Sequence, residues 1–169
     1  ASTHDHILFF TDKGRVYWRK AYEIPQASRQ AKGKAIVNLL ALGQDEKIAS
    51  FLQVSEFDDK HYVLMVTRNG VVKKTNLTAY SHPRTMGINA IKLKAKDVLI
   101  ACKLTSGKDE IFIATQNGKA IRFNEKQARD MGRTAGGVRG MRLGKKDEVI
   151  AAEIVNPKAA ILTVTSQGF

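Results

Sequence analysis

One cysteine, three prolines and one tryptophan are present in 169 residues, and 16 acidic residues stand against 28 basic ones. A lone cysteine makes no internal disulfide, which fits a reducing compartment. Cys102, within the alternating segment LIACKL, reads as a buried thiol. So few prolines leave little to interrupt β-ladders. No run of about 18 apolar residues occurs, so no membrane span is expected. The opening Ala1-Ser2-Thr3-His4-Asp5-His6 has neither the basic nor the apolar region of a secretory signal, and the lone cysteine fits a reducing cytoplasm. The shortage of acids leaves a net charge of 28 − 16 = +12. That surplus predicts attraction to polyanions, with nucleic acid the first partner to consider.

What is present is an ordinary globular composition, 43% apolar, written as a repeat. Gly14, Gly70, Gly118 and Gly168 each follow a threonine by three residues, at Thr11, Thr67, Thr115 and Thr165. A second glycine stands at Gly33, Gly87 and Gly137, with Leu39, Leu93 and Leu143 six residues on and Arg29, Arg84 and Arg133 shortly before. Acidic turns carrying Asp45, Asp97 and Asp147 then introduce another apolar run. A period near fifty residues marks a repeat architecture, with units at about 1–57, 58–108 and 109–157 and a partial one at 158–169.

Within each unit the patterns are those of strands. HILFF, YVLMV, EIFIA and AILTV are short aliphatic and aromatic runs bounded by turn residues. Asn69-Gly70 and Asn117-Gly118 predict type I′ hairpins. The strand after each turn, RVYWRK, VVKKT or KAIRF, mixes apolar with basic residues and is expected to be partly solvated. AIVNLLAL, INAIKL and VRGMRL predict third strands, and the run after each acidic turn a fourth. Four strands per unit is the count of a propeller blade, so the chain reads as a single all-β domain of about three blades plus part of a fourth, an incomplete ring. Its ends fall inside blades, which reads as a fragment of something larger.

No constellation for catalysis emerges. His4 and His6 lack a third ligand nearby, and His61, His82, Asp58 and Asp59 read as loop and turn residues. GRTAGGVRG (132–140) lacks the Lys-Ser/Thr of a nucleotide loop and matches no dinucleotide fingerprint. The recurring feature is cationic. Arg15, Arg19, Lys20, Lys73, Lys74, Lys119 and Arg122 lie near the second strands. Arg29, Lys32, Lys34, Arg84, Arg133, Arg139 and Arg142 surround the second glycines. Equivalent positions in rotated units describe a positive belt, suited to the phosphates of bent duplex DNA and not to base readout. Aromatics do not alternate with the cations as single-strand stacking requires. Two rival readings are an acidic protein partner mimicking DNA and an enzyme with its site in a central channel.

The segments GRVYWRKAYEIPQASRQAKGKAIVNLLAL (14–42), GVVKKT (70–75) and MGRTAGGVRGMRL (131–143) resemble the C-terminal domain of bacterial DNA gyrase A. The likeness runs over essentially the whole chain, and the first segment favours gyrase over its topoisomerase IV paralogue, whose C-terminal domain is the alternative reading. The resemblance implies a β-pinwheel, in which propeller-like blades exchange strands and a basic rim wraps duplex DNA. It further implies that the holoenzyme introduces negative supercoils with ATP and Mg bound elsewhere, leaving this region without catalysis or cofactor. The implied partners are double-stranded DNA, the remainder of gyrase A, and gyrase B, near the nucleoid. The family's Gln-Arg-Arg-Gly-Gly-Lys-Gly box is absent; SRQAKGK (28–34) is the corresponding loop of another blade.

Overall fold

The computed structural model describes residues 1–164 and 168. Eleven strands are present among them: β1 (His6–Thr11), β2 (Arg15–Lys20), β3 (Ile48–Val54), β4 (Tyr62–Thr67), β5 (Val71–Asn76), β6 (Ile88–Asn89), β7 (Leu99–Thr105), β8 (Glu110–Thr115), β9 (Ala120–Asn124), β10 (Val138–Arg139) and β11 (Val149–Ile154). They form antiparallel sheets ordered β3-β1-β2-β6, β10-β5-β4-β7 and β11-β8-β9. Helical structure among the described residues is confined to short 3-10 turns, such as Ala21–Glu23 and Leu77–Tyr80. The fold is an all-β propeller of the pinwheel kind.

The pinwheel character lies in β6 and β10. Each belongs to one unit in sequence and to the preceding blade in space: β6 pairs with β2 and β10 with β5. The third strands are therefore two-residue segments, much shorter than the apolar runs predicted. AIVNLLAL of the first unit forms no strand. It makes a 3-10 turn at Ile36–Asn38 and lays Leu40 against Phe9 and Tyr17. AILTV likewise forms no strand, and Leu162 is 88% exposed, because no ladder or core receives it among the described residues. Thr165 and Gln167 of the last predicted hairpin lie outside the described residues.

Period-2 alternation explains how the blades stack. Leu8 and Phe10 of β1 meet Val63 and Met65 of β4 in one apolar layer. Leu64 and Val66 point the other way and meet Ile111 and Ile113 of β8. β4 is buried from Val63 to Thr67 because a blade covers each of its faces, whereas β8 alternates buried and half-buried positions. Cys102 sits in the first layer, where burial pushes its thiol pKa up.

The hairpin loops are one residue longer than type I′ would make them. Gly14, Gly70 and Gly118 are left-handed, but Asn69 and Asn117 are not. The glycine N–H donates to the threonine carbonyl three residues back, at 2.9, 3.0 and 3.1 Å. This is a type I turn closed by a glycine bulge, in which only the last residue needs positive φ. The threonine hydroxyl caps it, accepting from the N–H of Arg15, Val71 or Lys119.

Candidate nucleic-acid interface

Strand exchange builds the rim. The fourth strands approach one another across blades, β3 against β7 and β7 against β11, so the opposite edges at β2/β6 and β5/β10 face away from that centre. The loops that carry Gly87 and Gly137 run to those outer edges.

Gly14, Gly70, Gly87 and Gly137 sit where one unit grips the next. The carbonyl of Gly14 accepts from the N–H groups of Ala90 and Ile91, and that of Gly70 from Gly140 and Met141. A Cβ on Gly87 would stand 2.9 Å from the Val16 carbonyl, and one on Gly137 2.8 Å from that of Val72. Backbone approach this close admits no side chain. Leu93 and Leu143 then cover the turn glycines Gly14 and Gly70.

An acid stitches each hairpin to the turn before the fourth strand. Thr67 Oγ1 donates to Asp97 Oδ2 at 2.8 Å, and Asp147 Oδ1 accepts from the Asn117 N–H at 3.1 Å. In the first unit the role belongs to Glu46 and not to Asp45. Asp45 takes the left-handed conformation that Lys96 and Lys146 take in the other units. Glu46, one residue later, is buried and accepts from Thr11 Oγ1 (2.6 Å), Tyr17 OH (2.9 Å) and the Gly43 N–H (2.7 Å). Burial pushes its carboxyl pKa up, but these bonds offset that and hold it below the ordinary value.

The candidate cations divide into three groups. Arg29, Lys32, Lys34, Arg84, Lys119, Arg139 and Arg142 are exposed, and none of their side chains donates a hydrogen bond among the described residues. Others are exposed or half-buried and partly engaged. Arg15 reaches the Met86 carbonyl, Arg19 Nε the Leu39 carbonyl at 2.7 Å, and Lys20 Nζ the His4 carbonyl at 2.9 Å. Arg122 pairs with Glu110, and Arg133 Nη1 donates to the Asn89 carbonyl at 3.3 Å.

Lys73 and Lys74 correct the expectation of a solvated second strand. Lys73 has no exposed surface; its Nζ donates to the carbonyls of Ala90 (2.5 Å) and Arg133. Burial, and then the Arg133 charge, lower its pKa to about 8. Lys74 Nζ donates to the Glu125 carbonyl at 3.2 Å and lies over the Tyr62 ring. The middle blade is covered on both faces and the 130–136 loop lies along β5, with the Met131 N–H bonded to the Lys74 carbonyl. Neither ammonium is presented to a phosphate.

That same loop links the rims of consecutive blades. Besides the Arg133–Asn89 bond, the Lys92 N–H donates to the Ala135 carbonyl at 3.2 Å. Exposed cations also gather around the acidic turns, where the sequence suggests only a structural role: Lys92, Lys94 and Lys96 in one unit, Lys145 and Lys146 in the next. Their recurrence before the fourth strand is the signal that could have found them. Asp58 caps the N–H groups of Lys60 and His61, and Asp59 remains exposed. No group of three or more His, Cys, Asp or Glu converges among the described residues, and none of their helices is long and apolar enough to cross a membrane.

The family model described as DNA gyrase C-terminal domain, beta-propeller, matches residues 5–55, 61–106 and 109–156. Over 169 residues, all of its length, the chain is 49% identical to the DNA gyrase A protein of Escherichia coli and 48% to that of Salmonella typhimurium, covering 19% of each. The DNA gyrase A protein of Mycolicibacterium smegmatis is 43% identical over 99% of the chain and 20% of the relative. The chain thus spans about a fifth of the length of these relatives. Among solved structures, a DNA topoisomerase IV C-terminal domain superposes with TM-score 0.83 at 34% identity, over 91% of this chain and 48% of that one. A DNA gyrase A C-terminal domain gives 0.77 at 25%, over 93% and 50%. Three blades joined by two strand exchanges, repeated glycines at the exchange points and matches spread over all three units lead to one conclusion: the chain belongs to the DNA gyrase C-terminal domain family.

Proposed function

We propose that the outer rim binds double-stranded DNA without regard to sequence and bends it around the blades. The chain then serves as the wrapping region of a DNA gyrase A. Together with the remainder of gyrase A and with gyrase B it supports ATP-dependent negative supercoiling in the bacterial cytoplasm, at the nucleoid, while ATP, Mg and catalysis belong to the other parts. The observation that carries this reading is the continuity of the rim. Exposed cations recur in the loops of successive units, and the third unit's loop is hydrogen-bonded to the second unit between Arg133 and Asn89. Lysine and arginine side chains along such a track neutralise phosphates and release counterions. The gain offsets an elastic bending cost on the order of 1–6 kcal/mol for a 20–30 base-pair site.

Titration of a mixed-sequence duplex at several salt concentrations tests the proposal. Binding falls steeply with salt and varies little with sequence. Neutralising Arg29, Lys32 and Lys34 together lowers the slope of log K against log salt by roughly 3 × 0.9. A flat salt dependence of the unmodified chain contradicts the proposal, and an unchanged slope in the triple variant removes the first unit's loop from the track.

A further inference from the structure

Beside β2 lies a cleft of about 300 Å³ whose walls come from two units. His6, Trp18, Arg19 and Lys20 of the first unit form one wall, and the 83–85 loop of the second, carrying Arg84, forms the other. We infer that this cleft seats a single backbone phosphodiester of the bound duplex, held between Lys20 and Arg84; the inference rests on the DNA-binding reading above.

The two cations are prepared differently. Lys20 Nζ is fixed by the His4 carbonyl and stands 3.4 Å from His6 Nδ1, so the ammonium is positioned with a donor to spare. The Arg84 guanidinium makes no hydrogen bond among the described residues and keeps its planar fork free for a phosphate. Strand exchange brings Arg84 here: Gly87 docks on Val16 and Tyr17, and the Arg15 guanidinium holds the Met86 carbonyl. Arg19 stands behind, tied to the Leu39 carbonyl. Glu23 also lines the cleft, its carboxylate accepting from the Lys20 N–H at 2.8 Å. Three cations and one carboxylate leave a charge of 3 − 1 = +2, a positive surplus that attracts a phosphodiester anion. Trp18 lines the wall with its indole N–H fixed to the Tyr80 carbonyl at 2.9 Å, and it is the sole tryptophan of the chain.

That tryptophan supplies the readout. A labelled duplex is titrated with the chain while duplex anisotropy and Trp18 emission are followed together. The emission changes with the same midpoint as the anisotropy. Lys20→Ala and Arg84→Ala together lower the salt slope by about 0.9, the value for one shared phosphate, and not by about 1.8 for two separate ones. Far-UV circular dichroism checks that both variants fold. Normal anisotropy with silent Trp18, or fully additive slopes, overturns the cleft and leaves the rim proposal standing. Absence of any anisotropy change removes both. A Trp18 response to inorganic phosphate with none to duplex assigns the cleft to a free phosphate and overturns the inference.

Discussion

The ammonium of Lys73 touches two carbonyls, Ala90 from its own unit and Arg133 from the next, and meets no carboxylate among its hydrogen-bond partners. A buried lysine in that position is a fastener between units whose proton is held loosely. Its pKa of about 8 lies below the usual 10.5, so between those values the unfolded chain keeps a proton that the folded chain has released. The contribution of this group to stability therefore rises as pH goes from about 8 to about 10. Urea unfolding at the two pH values measures it: the wild-type chain gains stability relative to Lys73→Met, and a constant difference between them contradicts the assignment. Glu46 works in the same direction at lower pH, since its folded pKa also lies below the ordinary value. Its stabilisation is complete above the ordinary carboxyl range near 4.5 and is lost as pH falls through its lower folded value. Glu46→Ala strands the buried hydroxyls of Thr11 and Tyr17 and costs about 1–3 kcal/mol at neutral pH; denaturant titration reads the loss.

Elements of this fold differ in how plainly the sequence announces them. β1, β4 and β8 are visible as aliphatic runs, and their hairpins as Thr-x-x-Gly, because both signals are local. β6 and β10 are two residues long and take their partners from the preceding blade, so no local pattern names the sheet they join. The turn type departs from expectation for a related reason: Asn-Gly suits type I′, but a capping threonine at the first position makes a type I turn with a glycine bulge the better match. The second glycine is legible in sequence as a repeat, whereas its use as a docking point depends on a neighbouring blade. That contact makes a graded prediction. Gly137→Ala meets strain at φ +84° and a clash with Val71 and Val72, whereas Gly33→Ala, at φ +69°, meets nothing within 4 Å. Left-handed strain alone costs about 1–2 kcal/mol, and overpacking adds about 1–3 kcal/mol. Thermal denaturation is expected to rank Gly137→Ala well below Gly33→Ala; equal melting points contradict the docking role.

At the scale of the molecule, stacking decides which cations are available. VVKKT and KAIRF look alike as sequences, yet Lys73 and Lys74 are enclosed by flanking blades while Lys119 and Arg122 are exposed. Repetition in sequence thus identifies the positive character of the rim without sorting its members, because burial belongs to the neighbours of a residue. The cations that remain lie largely in the second-glycine loops and the turns before the fourth strands, and the loops of the second and third units are each bonded to the preceding blade. The measurement that bears most directly on this account is energy transfer between dyes at the two ends of a duplex of about 30 base pairs, short enough to be stiff when free. If the rim is a curved track, transfer rises as the chain binds and falls back as salt releases it. Saturable binding with no change in end-to-end transfer contradicts a track that bends DNA.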